Sequence, residues 1–211
     1  LKGLEFSENP IPTFTKLKAE GVSGFLSVKN VGGGTANTEF EVLTGMNLDH
    51  FGFGEYPYTT ILKSRACESI AYNLKRLSYG THALHNHTAT FYDRNVAYAT
   101  LGFDSFTPVE MMTDVRYNQL GWECDDVLTG EILSALDSTD GSDYVFGVTV
   151  QGHGKYPSEP LDEDELVASG YNLKNAFEDD IVKVYGISDP QLLSEYTYYV
   201  NQLRATDVFS S

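Results

Sequence analysis

Three stretches carry residue types that can do chemistry. In "NVGGGTANTEF" (30–40), three glycines lead into Thr35 and then an acidic, helix-compatible run. A threonine hydroxyl becomes a nucleophile when a base or a metal lowers its pKa. Glycines before it permit left-handed backbone and close approach of a ligand. A helix starting there would favour negative charge, whether alkoxide or bound phosphate. The same pattern also suits a Gly-rich turn with Thr35 as an ordinary N-cap, although Thr38 three residues on does not complete a capping box. In "HNHTATFYDR" (85–94), His85 and His87 would share one face of a strand, with His82 on the other. Two histidines do not complete a zinc site, but as anion-binding groups they need no such count. Arg94 could fork onto a phosphate or sulfate, with Tyr92 stacking or donating beside it. In so acidic a chain, pairing of Arg94 with a neighbouring acid is the alternative. In "QGHG" (151–154), His153 is flanked by glycines after a strand-like apolar run.

Other motifs fail on inspection. "GVTVQGHG" has P-loop spacing but lacks its Lys and Ser/Thr. "GVSGF" is not a nucleophile elbow. "DSTDGSD" (137–143) lacks the ligand pattern of a calcium loop and reads as a turn. The CxPxR signature of formylglycine sulfatases is absent.

The elements that must position these residues follow from periodicity and breakers. Helices are expected over 13–21, 36–46, 69–80 (with Gly80 at its end), 93–103 (with Asp93 as N-cap), 125–136 and 189–209. Strands are expected over 22–30, 81–89 and 143–154, the last apolar on both faces as parallel sheets require. Helices alternating with buried strands predict an α/β fold with a mostly parallel sheet flanked by helices. In such sheets ligands bind at the carboxyl ends of strands. GGGT, His85-Asn-His87 and Gln151-Gly-His153 would all lie there.

The chain has 211 residues, enough for a real core, and its 41% hydrophobic content is that of a globular protein. A net charge of −16 repels phosphate backbones and argues against nucleic-acid binding. It is compatible with attraction of divalent cations. Cys67 and Cys124 are expected to be unbridged thiols.

"VGGGTANTEFEVLTG", "HNHTATFYDRNVAYATLGFDSF" and "TVQGHGKYP", in this order, resemble the lipoteichoic acid synthase-like branch of the sulfatase/alkaline-phosphatase superfamily. The resemblance runs from about residue 4 to the end. It implies an extracellular α/β domain of a multi-pass bacterial membrane protein, with one divalent metal, manganese or magnesium. It implies transfer of glycerolphosphate from a phosphatidylglycerol-type lipid to a growing cell-envelope polymer. By resemblance Thr35 is the nucleophile and a metal ligand, Arg94 the phosphate arginine, Tyr92 the pocket aromatic, and His85 and His153 substrate contacts. The family's upstream metal-binding Glu and downstream Asp-His pair have no counterpart, so residues 1–211 are expected to be an incomplete catalytic domain. By itself such a piece is expected to be inactive, to bind no metal, and to self-associate through exposed sheet edges. A phosphate- or sulfate-ester hydrolase and a non-catalytic glycan- or head-group-binding relative are the alternatives.

Overall fold

A computed structural model of the chain describes residues 12–29, 34–117 and 121–153. The chain divides into two compact units. One takes residues 1–25, 117–122 and 152–211, and the other 26–116 and 123–151. In the first, the described residues form helix α1 (Pro12–Glu20), close to the expected span.

The second unit is built on a sheet. Its strands β1 (Gly80–His85), β2 (Ser105–Pro108) and β3 (Asp143–Val148) are all parallel, in the order β2-β1-β3. The helices are α2 (Thr35–Thr44), α3 (Ile70–Lys75), α4 (Arg94–Thr100) and α5 (Val127–Leu136). Successive strand residues face opposite ways, and both faces of central β1 are covered. Ala83 packs with Ala36, Phe40 and Leu43 of α2 and Ala97 and Tyr98 of α4. Leu84 packs on the other side with Leu128 of α5 and Met112. In α2 the buried residues are Ala36, Asn37, Glu39, Phe40 and Leu43, and the apolar three form one stripe at helical spacing. The parallel α/β architecture is therefore as expected, with both cysteines unbridged.

Several local expectations are corrected. Residues 22–29 are exposed and form no ladder; an apolar run supplies no partner for its own N–H and C=O groups. Helix α2 stops at Thr44, because Gly45 takes a left-handed cap with its N–H on Glu41 O; Met46 lies beyond it and is half-exposed. Gly80 does not end a helix. The chain turns at Ser78, and Gly80 opens β1 opposite Asp143. A side chain at Gly80 would strike Asp143 and His82. Asp93 does occupy the N-cap of α4, but its carboxylate bonds Lys63 at 2.9 Å instead of capping. Strand β2, "SFTP", was not expected; its Pro sits at the strand end, where a missing donor is tolerated. The 137–143 turn is as expected, tied by Thr139 Oγ1 donating to Asp143 at 2.6 Å. The helix expected over 189–209 lies outside the described residues.

Gly102 is the tightest glycine of the α4–β2 link. Its φ is +87°, and an added Cβ would lie 2.8 Å from the Tyr72 ring. Gly102→Ala is expected to lower stability by about 1–3 kcal/mol, measured as a shift in the denaturant midpoint at unchanged slope.

Candidate active site at the carboxyl end of the sheet

Thr35 is the first residue of α2 and is exposed. The preceding residue, Gly34, is buried with φ 83° and ψ 46°. That left-handed turn lets the chain enter the helix without a side chain between Thr35 and its surroundings. The first N–H groups of a helix lack intrahelical acceptors and carry partial positive charge. Thr35 therefore presents its hydroxyl where an anion is stabilised.

Tyr92 comes to the same place from another element. The backbone N–H of Gly34 donates to its hydroxyl, an interaction that draws the phenol pKa down while burial, the larger effect, raises it. The ring lies 5.4 Å from Tyr56 and 4.8 Å from Phe91 between centroids. Tyr92 and Asp93 both have positive φ, 59° and 55°. Two consecutive left-handed L-residues cost roughly 1–2 kcal/mol each, and such turns concentrate at functional sites.

Beneath Tyr92 lies Arg94, only 1% exposed, with its guanidinium carbon 5.3 Å from the Tyr92 ring centre and 5.5 Å from that of Phe91. Its Nε donates to Glu39 Oε2 at 3.1 Å and its Nη2 to Glu39 Oε1 at 2.5 Å. Glu39 is 5% exposed and also accepts from the Tyr98 hydroxyl at 2.9 Å. Tyr58 faces the same carboxylate without hydrogen-bond geometry. Burial pushes both phenols well up, and the Glu39 charge adds to this, so both stay neutral. Burial works against the Arg94 charge, but Glu39 outweighs it and holds the guanidinium protonated. Arg94 thus pairs with an acid, the alternative raised by the chain's composition. That acid is not a surface neighbour but a residue 55 positions away, on the helix that carries Thr35.

His85 completes the chain of contacts. Arg94 Nη1 lies 3.1 Å from His85 Nε2, and His85 Nδ1 lies 3.0 Å from Val148 O. A guanidinium can only donate and a carbonyl can only accept. His85 is therefore the neutral Nδ1–H tautomer, its Nε2 accepting from Arg94. His87 pairs with Glu123 at 2.9 Å and meets Phe91 edge to face. Between them Asn86, fully buried, donates to Glu123 O, Cys124 O and Asp125 Oδ1 and accepts from Val150 N. This fixes the loops after β1 and β3 to each other. His153 belongs to the other unit, where its ring lies 4.4 Å from that of Trp122.

Thr35, Tyr92, Arg94 and His85 are therefore gathered in one unit, with Thr35 exposed, Tyr92 half-buried at the Gly34 N–H, and Arg94 and His85 buried behind Tyr92. Sequence reasoning missed Glu39. Its signal was present: four residues after Thr35, it projects from the same face one turn along the helix. Among the described residues no cluster of three or more His, Cys, Asp or Glu could hold a metal ion.

The pattern that defines the sulfatase family matches residues 2–209. The chain belongs to the sulfatase family. Two Rhizobium meliloti (strain 1021) proteins are similar to this sulfatase-family chain. One, a proposed cyclic beta-1,2-glucan modification protein, is 29% identical over 170 residues, 81% of this chain and 26% of its own length. The other, the capsular polysaccharide biosynthesis protein RkpI, is 30% identical over 156 residues, 71% of this chain and 28% of its own. The chain thus spans little more than a quarter of these relatives. Among solved structures, the phosphoglycerol transferase GacH of Streptococcus pyogenes, in complex with sn-glycerol-1-phosphate, shares the fold with a TM-score of 0.66 and 20% identity. The match covers 98% of this chain and 50% of GacH. The lipoteichoic acid synthase LtaP of Listeria monocytogenes matches with a TM-score of 0.57 and 18% identity, over 83% of this chain and 39% of LtaP.

Glu39→Ala strands a buried guanidinium and is expected to cost about 3–5 kcal/mol. The double variant Glu39→Met/Arg94→Leu is expected to recover most of that loss, because no unpaired charge remains. Denaturant unfolding of the three proteins checks both. Nitrogen-15 chemical shifts of His85 are expected to report the neutral Nδ1–H tautomer; an Nε2–H signal would break the Arg94–His85 link.

Proposed function

We propose that this chain is the nucleophile-bearing part of a phosphoglycerol transferase of the sulfatase family. The donor is a phosphatidylglycerol-type lipid and the acceptor a cell-envelope glycan. The observation that carries this reading is Thr35: an exposed hydroxyl opening a helix, behind a left-handed glycine whose N–H is held by Tyr92. The fold shared with GacH and LtaP supports phosphoglycerol as the group, and the two Rhizobium relatives support a glycan as acceptor.

In this reading Thr35 Oγ1 forms a bond to phosphorus as the P–O bond to diacylglycerol breaks. The hydroxyl proton ends on the released alcohol. A glycan hydroxyl then repeats the displacement and its proton returns to Thr35. The helix N-terminus stabilises charge at the reacting oxygens. Tyr92 lines the head-group pocket, and His153 is assigned as a further substrate contact. Arg94 and His85 lie behind that surface; the positive guanidinium acts through the Tyr92 layer or by exchanging part of its hold on Glu39 for the phosphate. A divalent metal in the whole protein, manganese or magnesium, belongs to the proposal, with Thr35 as one donor and the others beyond the described residues. So does a location on the outer face of a bacterial membrane. Among the described residues no helix is long and apolar enough to cross one.

The test uses the full-length protein with a phosphatidylglycerol carrying a labelled head group. A glycerolphosphate adduct on the Thr35 peptide is expected by mass spectrometry, with Thr35→Ala reducing adduct and turnover to background. An unmodified Thr35 during turnover would sink the reading. Free glycerolphosphate as the sole product, with glycan present, would reassign the protein as a hydrolase.

A further inference from the structure

A groove of about 410 Å³ opens beside the first turn of α2, in the same unit as Thr35. That volume lies within the range of small-molecule sites. Its walls include Asn37 of α2 and Asp49, Phe51, Phe53, Glu55 and Tyr56 of the loop that follows. Tyr56 connects it to the Thr35 locale, since its ring rests on Tyr92. Asn37 stands two residues after Thr35 on the same helix.

The polar side chains of the lining are rich in acceptors. Asn37 is only 8% exposed; its Nδ2 donates to Glu55 O at 3.2 Å, but its Oδ1 is buried with no partner. Buried acceptors are ordinarily satisfied, and an exception marks a place where a donor is missing. Asp49 and Glu55 add carboxylates; Glu55 already accepts from Gly52 N and Thr60 Oγ1, each at 2.9 Å, and Lys29 in the lining is paired with Asp49. The apolar lining is aromatic. Phe51 is the fixed wall, edge-on to Phe40 at 5.3 Å. Phe53 stands fully exposed between Gly52 and Gly54.

A matching ligand must donate hydrogen bonds, carry no negative charge, and offer an apolar face to an aromatic ring. A phosphate fails the second condition, because the lining carries two carboxylates against one paired lysine. A neutral sugar meets all three: its hydroxyls donate outward and its C–H face stacks on an aromatic. The geometry points to this groove as the acceptor subsite, holding a neutral glycan so that one hydroxyl reaches the group carried on Thr35. This rests on the transferase reading of Thr35 and names its acceptor chemistry.

The test is a titration of the full-length protein with a neutral β-linked gluco-oligosaccharide, followed by NMR of the Asn37 side-chain amide and the Phe53 ring. Both are expected to shift, and Phe53→Ala, at an exposed position that the fold does not need, is expected to weaken binding about tenfold. Thr35→Ala is expected to bind the oligosaccharide like the wild type. Unshifted Asn37 and Phe53, equal affinity in Phe53→Ala, or preferential binding of a glycerolphosphate oligomer there would overturn the assignment. The two proposals fail separately. Oligosaccharide binding without a Thr35 adduct removes the transferase reading and keeps the groove; a Thr35 adduct without oligosaccharide binding does the reverse.

Discussion

The buried pair of Glu39 and Arg94 organises the described site. Two charges removed from water lose several kcal/mol of hydration each, and only good geometry with further hydrogen bonds returns it. Here the fork of Arg94 meets both carboxylate oxygens, and Tyr98 supplies a third donor to Glu39. The remaining donor side of Arg94 reaches Phe91 O and His85. Each contact ties down a different piece of chain. The pair joins α2 to α4, while His85 continues the link through β1 to Val148 of β3. Thr35, one turn before Glu39, inherits its position from this network.

The same pair accounts for the strained turn above it. Phe91 and Tyr92 lie over the guanidinium, where a cation favours an aromatic face. That covering requires Tyr92 and Asp93 to take left-handed backbone, and the Lys63–Asp93 bond holds the turn from outside. The result is a rigid aromatic layer, with Tyr56 and Tyr92 side by side, that meets the Gly34 N–H at one end and the groove at the other. Gly34, which precedes Thr35, and the groove are thus linked through the Tyr92–Tyr56 pair. In transfer chemistry that proximity matters more than any single contact, because holding donor and acceptor together replaces a bimolecular encounter.

Charge separates the roles of these neighbouring surfaces. The whole chain is strongly acidic, yet α2 turns its positive end toward Thr35 and Arg94 lies beneath. Asp49 and Glu55 line the groove a short way off. The proposed anionic donor and neutral acceptor would thus meet different charge environments within this unit.

The residues alone pointed to a parallel α/β fold, which the structure bears out, and to Thr35 as the candidate nucleophile. The apolar run within 143–148 pointed to a parallel strand, which forms but is mostly half-buried, and three glycines before Thr35 announce a backbone turn that other residues resist. Family motifs in order then placed Tyr92, Arg94 and His85 with it. Only the tertiary structure decided who partners whom. Glu39 looked like one more acid in an acidic helix, because a partner 55 positions away leaves no local trace. The run at 22–29 looked like a strand, because apolarity is local, whereas a ladder needs a second chain segment. The groove was invisible for the same reason: Asn37, Asp49 and Phe53 are unremarkable singly, and only packing leaves one acceptor unsatisfied beside one exposed ring.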